Sequence, residues 1–421
     1  MVWASLGECG GLMVTADAEY AGAVLRRRVK DLPFLNEQRL EIGKKEGLVS
    51  LLSALPITNK TTLSVQGVAM YTQPESSIAL FSETAGTTGG APILTPRGRE
   101  ELRWNELNQA AAYRRHLHPG KDRVAILHPV ILSPFAEVSA AALARLGVGY
   151  LRLFPIPRIC DYERIARVLE EYDVTAVMTT PTLAYKVLFE LSRLGRLPSS
   201  VDKLLLTGEV LSRDSLANLD RIIGKGPGVA RSFVYGSSEA ATLMYGVKDG
   251  TYRGFLDDFL FEVLPIEQSS TRENTCSRSE EAVTGRLLVT WLREGVMPLV
   301  RYDTGDVFSV RSDSTTGEWV FESHGRGHPQ VTPEMMARVE QVCFGTATPV
   351  FHYDLQVEAS RVTVSLFCSG GKTEMSLLRK EVEKGIESIF RRVVEVYLNP
   401  EAHTFLDFSP RAKSQHISFQ D

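Results

Sequence analysis

The apolar positions follow two textures along the chain. Between Arg123 and Tyr235, short apolar runs alternate with stretches whose apolar residues recur at helical spacing. Val124-Ala-Ile-Leu127 predicts a buried strand, and the Ala-rich stretch from Phe135 to Leu146 predicts a helix. Tyr150 to Phe154 is a second strand. Asp161 then caps a helix running to about Tyr172, with Ile165, Val168 and Leu169 on one face. Val174 to Met178 is a strand, Thr180-Pro181 opens a helix as N-cap and first residue, and Lys203 to Leu206 is a strand. Ser212 caps a further helix before the strand from Ala230 to Val234. Strands alternating with helices predict βαβ units and a mainly parallel sheet, whose ligands gather at the carboxyl ends of the strands.

After Gly250 the helices drop out. Phe259 to Val263, Gly285 to Trp291, Leu299 to Tyr302 and Glu318 to Phe321 predict short strands of a smaller antiparallel or barrel-like subdomain. Glu267 to Glu281 is a polar loop between two of them. From Pro333 a last block combines a helix, strands at Val350–Leu355 and Val362–Phe367, a helix from Thr373 to Phe390 and a strand at Val393–Leu398. The expected fold class is α/β: a large N-terminal domain with a mainly parallel βαβ sheet and a small β-rich subdomain, then a small α+β C-terminal domain.

Composition narrows the classes. A 43% hydrophobic, 23% charged chain of 421 residues has ample material for a core and argues against disorder. The net charge of −4 gives no footing for nucleic-acid binding, and the Arg26-Arg27-Arg28 run is expected on the solvated face of an early helix. Five scattered cysteines without a CxxC pair fit neither a disulfide framework nor a structural zinc site. Met1 to Tyr20 lacks the pattern of a secretory signal, and the most apolar region, Val124 to Phe154, is broken by charges and prolines. A cytoplasmic protein with no membrane association is expected.

Three segments can carry chemistry. Thr84-Ala-Gly-Thr-Thr-Gly-Gly-Ala-Pro92 offers a tightly turning backbone with hydroxyl and N–H donors for phosphate oxygens, although no Walker lysine follows the glycines. Tyr235-Gly-Ser-Ser-Glu239 directly follows a strand; its ring can stack on a purine and its carboxylate can hold Mg²⁺ against phosphates. In Arg301-Tyr-Asp-Thr-Gly-Asp306, Asp306 can accept the hydroxyls of a ribose. Taken alone, the first segment is equally an ordinary turn, and the other two are more often ordinary turns.

In this order and spacing the three resemble the adenylate-forming superfamily of acyl-CoA synthetases, luciferase and peptide-synthetase adenylation domains. The chain looks most like the phenylacetate–CoA ligase branch. Leu55-Pro-Ile-Thr-Asn-Lys60, Pro119-Gly-Lys-Asp-Arg-Val124, Thr207-Gly-Glu209 and Pro298-Leu-Val-Arg-Tyr302 support it. The resemblance implies ATP-dependent activation of a small aromatic or apolar carboxylic acid to acyl-AMP and pyrophosphate. The acyl group then passes to a thiol, of CoA or of an acyl carrier protein's phosphopantetheine. An amine acceptor is the alternative, and an inactive nucleotide-binding relative a third reading. The cofactors implied are ATP and Mg²⁺, with CoA as the thiol; a homodimer also occurs in this branch.

By family position Thr84, Gly86, Thr87, Thr88 and Gly89 cradle phosphates, while Tyr235, with Gly236 behind it, and the turn Thr207, Gly208, Glu209 enclose adenine. Ser237 and Ser238 lie near the α-phosphate, Glu239 is the metal ligand, and Asp306 and Arg326 meet the ribose. Lys413 is the candidate lysine bridging carboxylate and α-phosphate, with Ala412 where the family has Gly. Apolar residues from His128 to Phe135, including Ile131, correspond to the acyl pocket. The resemblance also divides the chain into an adenylating domain (1–325), a shortened hinge (326–332) and a mobile lid (333–421). The family's phosphate-loop lysine is missing, and so is the hairpin that in relatives precedes the lid.

Overall fold

The structure, a computed structural model, describes residues 2–5, 11–32, 35, 42, 44–84, 92–128, 133–155, 159–248, 250–266, 282–327, 330–400, 405 and 416–419. Strands β1 (Val2–Ser5) and β2 (Leu12–Thr15) pair antiparallel ahead of helix α1 (Ala18–Asp31). The Asp17 carboxylate caps α1 by accepting the Glu19 and Tyr20 N–H groups. Helices α2 (Leu48–Ala54) and α3 (Lys60–Gln66) follow, with Asn59 and Thr62 capping α3 reciprocally. A small ribbon of β3 (Ile78–Leu80) and β4 (Arg97–Gly98) leads into α4 (Arg99–Tyr113).

The alternating region runs β5 (Arg123–Leu127), α5 (Pro134–Leu146), β6 (Gly149–Leu153), α6 (Tyr162–Glu171), β7 (Ala176–Thr179), α7 (Pro181–Arg193), β8 (Lys203–Thr207), α8 (Arg213–Ile223) and β9 (Ala230–Ser237). Ser133, Asp161, Thr180 and Ser212 each accept a main-chain N–H at a helix start. Strands β9, β8, β7, β5 and β6 are neighbours in that order and parallel. Beyond them come β10 (Ala241–Gly246), β11 (Thr251–Gly254), β12 (Phe259–Pro265), β13 (Val283–Trp291), β14 (Tyr302–Ser312) and β15 (Trp319–Arg326).

These later strands do not stand apart. Among the described residues they join the parallel strands in one sheet of thirteen, with the hand-over at the β9–β10 hairpin. The antiparallel half curls back on itself. Strands β10, β11 and β15 intervene between β9 and β14, yet the Tyr235 and Phe308 rings lie 4.8 Å apart. The strand expected from Leu299 begins only at Tyr302. Arg301 before it has φ 44° and is held there by a bidentate pair with buried Glu262.

The last block is α9 (Pro333–Phe344), β16 (Val350–Val357), β17 (Arg361–Cys368), α10 (Lys372–Phe390), β18 (Val393–Leu398) and β19 (Ile417–Phe419), its sheet ordered β18-β17-β16-β19. This module shares one hydrophobic core with α7, α8 and the parallel strands. Phe189 of α7 meets Phe351, Phe367 and Phe405 edge-on, with ring centroids at 5.2, 6.0 and 5.7 Å. Tyr185 stacks on Phe344 at 5.2 Å. Polar groups at this contact are satisfied across it: Ser212 donates to Glu340 at 2.6 Å and Asn218 to the Val350 carbonyl at 2.5 Å. The element implied as a mobile lid is therefore packed here through an aromatic seam with paired polar groups.

One surface expectation is corrected. Arg28 is buried, not solvated, and donates to the carbonyls of Trp291 and of Arg293, the latter at 2.8 Å. Two carbonyls at the end of β13 need donors, and α1 supplies one side chain for both. Cys160, Cys343 and Cys368 are buried free thiols. No described helix is long and apolar enough to cross a membrane.

Candidate active site

The site forms where β8, β9 and β14 end or bend. Thr207 pairs with Val234 in the β8–β9 register, so the Gly208–Glu209 turn lies beside Tyr235. The Thr207 hydroxyl is spent on the Val234 carbonyl at 2.7 Å, which locks the two strand ends together. Gly208 has φ 86°, turning the chain outward. The Glu209 carboxylate reaches back to α7, accepting the Thr182 N–H at 3.1 Å and its hydroxyl at 2.6 Å. An acid at the first turn of a helix suits the exposed N–H groups there.

Tyr235 to Glu239 carries β9 into β10 through a tight turn. Gly236 is required: a Cβ there would sit 2.0 Å from the Ala241 carbonyl oxygen. Ala241 takes φ 70°, closing the loop over Ser238, Glu239 and Ala240. The exposed Ser237 accepts the Ala240 N–H through its hydroxyl at 3.1 Å.

The third segment crosses this turn. The Tyr235 phenol donates to Asp306 Oδ2 at 2.7 Å, and the Tyr302 phenol donates to Glu239 Oε1 at 2.9 Å. Tyr235–Glu239 and Tyr302–Asp306 thus exchange hydrogen bonds, each tyrosine serving the other segment's acid. Asp306 Oδ1 is 3.0 Å from Arg326 Nε, and Arg326 also donates to the Thr304 carbonyl. Gly305 makes room for this: its φ is 73°, and a Cβ would lie 2.5 Å from Arg326 Nη1. Burial and the Asp306 charge push the Tyr235 phenol well above its ordinary pKa; burial and Glu239 do the same at Tyr302. Both phenols stay protonated donors across the physiological range.

Segment Leu55–Lys60 is anchored to the same place. The Thr58 hydroxyl donates to the Val300 carbonyl at 2.8 Å, the Asp303 N–H donates to the Thr58 carbonyl at 2.8 Å, and Arg301 donates to the Leu55 carbonyl at 2.7 Å. Thr84 is buried, its hydroxyl accepting the Ile93 N–H at 3.1 Å. Gly86, Thr87, Thr88, Gly89, Ile131 and Lys413 lie outside the described residues. His128 and Phe135 are half-buried where β5 gives way to α5, with rings 5.5 Å apart.

Sequence reasoning missed three side chains that hold the Glu239 turn: Arg97, which donates to the Ser238 carbonyl, Trp291, which donates to the Ala240 carbonyl, and the phenol of Tyr302. The last had a signal, since Tyr302 and Asp306 repeat the four-residue spacing of Tyr235 and Glu239. Arg97 had none.

No family model and no curated protein sequence matches the chain. Solved structures do. A 2-hydroxyisobutyryl-CoA ligase in the postadenylation state, in complex with 2-HIB-AMP, superposes with a TM-score of 0.74 at 16% identity, covering 96% of this chain and 91% of the ligase. The same ligase with 2-HIB-AMP and CoA in the thioesterification state gives 0.59 at 17% identity over the same shares. An acyl acid amido synthetase in complex with 2,4-DB gives 0.62 at 12% identity, covering 90% of this chain and 86% of that one. The chain has the fold of the adenylate-forming enzymes. The chain as a whole superposes better on the ligase's postadenylation state than on the later one.

Proposed function

We propose that this protein is an ATP-dependent ligase of the phenylacetate–CoA ligase type, which activates a small, apolar or aromatic carboxylic acid as its acyl-adenylate. The observation that carries the reading is the reciprocal pairing of Tyr235 with Asp306 and of Tyr302 with Glu239. It brings a ring, a ribose-type acceptor and a metal-type carboxylate together at the carboxyl ends of β8 and β9.

In the first step a carboxylate oxygen of the acid attacks the α-phosphorus of ATP. The bond to the bridging oxygen breaks and pyrophosphate leaves, giving acyl-AMP. Adenine lies between the Tyr235 ring and the Thr207–Glu209 turn. Each Asp306 oxygen retains a second lone pair beside its present partner, so the carboxylate can still accept ribose hydroxyls. Arg326 fixes that carboxylate from one side and Tyr235 from the other. His128, Ile131 and Phe135 line the acid's end, Gly86 to Gly89 hold the β- and γ-phosphates, and Lys413 bridges carboxylate and α-phosphate.

Glu239 suits Mg²⁺. It is a buried carboxylate with Oε1 held by a phenol and no hydrogen bond from a described residue on Oε2. Magnesium at nucleotide sites takes one or two carboxylates and completes its shell with water and phosphate. When bound it neutralises charge developing on the phosphates.

In the second step a nucleophile attacks the acyl carbonyl and AMP leaves. We adopt a thiol, that of CoA or of a carrier's phosphopantetheine, as the acceptor. Similarity of fold to a CoA ligase supports that choice; similarity to an amido synthetase supports an amine as the second reading. Acid-dependent exchange of labelled pyrophosphate into ATP, screened over aryl and alkyl acids, tests the first step. Exchange with at least one acid is expected, and none with any acid, in the presence of Mg²⁺, refutes it. Offering CoA, holo-carrier protein and amines to the trapped intermediate then separates the acceptors.

A further inference from the structure

Three buried side chains from three different elements hold the turn that carries Glu239. Arg97 of β4 donates through Nη2 to the Ser238 carbonyl. Tyr302 of β14 donates to the Glu239 carboxylate at 2.9 Å, and Trp291 of β13 donates through its indole N–H to the Ala240 carbonyl at 3.1 Å. Consecutive residues 238, 239 and 240 are therefore each fixed from outside the hairpin.

Arg97 is the unexpected member. Its side chain is only 2% exposed, Nη1 lies 3.4 Å from Glu101, and Cζ sits 5.1 Å from the centre of the Trp291 ring. Its Nε has no hydrogen-bond partner among the described residues. A buried Arg–Glu pair is a poor route to stability, since well-packed apolar residues in both places often serve as well or better. Glu101 has main-chain donors of its own, the N–H groups of Gly98 at 2.5 Å and Val296 at 2.9 Å, but loss of Arg97 alone would leave it buried without a cation. What Arg97 adds is a cation behind the turn, coupled electrostatically to both Glu101 and Glu239.

We propose that Arg97 is a positioning residue for the metal–nucleotide site: bound to the Ser238 carbonyl and backed by Trp291, it fixes the turn so that Glu239 faces the metal–triphosphate. The inference rests on the adenylating reading above. Like other groups that orient a metal ligand without touching the metal, it should be felt in metal affinity.

The test is calorimetric binding of ATP to the full-length protein with and without Mg²⁺, alongside the thermal midpoint. Arg97→Met should weaken Mg·ATP binding about tenfold or more, while binding of ATP in EDTA changes little; the thermal midpoint falls as well, because Glu101 loses its buried partner. Arg97→Lys, which keeps the charge and loses the fork, should recover part of the loss. Equal Mg·ATP affinity in native protein and Arg97→Met overturns the proposal and leaves the adenylating reading intact. Should Arg97→Met not fold, Arg97→Lys decides on the same readouts, and unchanged Mg²⁺ dependence there overturns it. Absence of Mg·ATP binding by the native protein defeats the adenylating reading, and this inference with it.

Discussion

The phenol of Tyr235 and the carboxylate of Asp306 meet at 2.7 Å, although 71 residues and three intervening strands of the sheet separate them. This contact closes the curl of the antiparallel half and fixes the Asp306 carboxylate, which we propose accepts the ribose hydroxyls of ATP. Asp306→Ala should raise the KM for ATP roughly tenfold to a hundredfold, the scale of losing a hydrogen bond to a charged group. Steady-state exchange kinetics at fixed acid read this out. A KM for ATP equal to the native value would remove Asp306 from nucleotide binding.

Buried Glu262 and Arg301 support the segment between β13 and β14 that precedes Tyr302. Arg301 grips Glu262 through Nε and Nη2 at about 3 Å and also holds the Leu55 carbonyl. Arg301→Ala leaves a carboxylate buried without its partner and should cost about 3–5 kcal/mol in urea unfolding. Replacing both residues by Met should recover much of that loss. A single variant as stable as the native protein would contradict this.

The parallel half of the fold was legible because three of its four helices announce their start. Asp161, Thr180 and Ser212 are cap residues placed just before helical periodicity, and the strands between are continuous apolar runs. The antiparallel half was legible as strands but not as one sheet, since alternation says which face is buried and nothing about the partner strand. Arg28 shows the same limit: a run of arginines reads as a solvated face, while the carbonyls that bury it lie 263 and 265 residues away. At the site, the acids were visible through motif spacing. Arg97 was not, because its meaning lies wholly in a carbonyl 141 residues away.

The C-terminal module and the large part should unfold together. Phe189 belongs to α7, and three of its ring contacts lie in the module. Phe189→Ala should therefore destabilise the whole chain, by about 3–5 kcal/mol on the scale of buried phenylalanine truncations. Calorimetry should show one endotherm in both proteins, shifted down in the variant. Two resolved endotherms in the native protein, one of them unmoved by the substitution, would show that the seam does not couple the parts.

Acid should weaken the fold through His116. Burial, with Arg231 and Arg115 nearby, lowers its pKa to about 4, and its buried Nε2 has no hydrogen-bond partner among the described residues. The unfolded chain takes up a proton near pH 6.5 that the native state refuses until about pH 4. Stability contributed by the neutral ring is thus complete above about pH 6.5 and lost as pH falls through that window, on the order of 3 kcal/mol. His116→Phe should flatten the fall of the thermal midpoint between these limits. An unchanged slope would assign the acid sensitivity elsewhere.

Formation of an acyl-adenylate leaves an isotopic mark. With a carboxylic acid that supports exchange, labelled with ¹⁸O in its carboxylate, turnover in the presence of an acceptor should give AMP carrying one ¹⁸O and pyrophosphate carrying none. AMP without label, or label found in released phosphate, would contradict attack of the acid on the α-phosphorus and with it the role given to the Tyr235–Asp306 and Tyr302–Glu239 site.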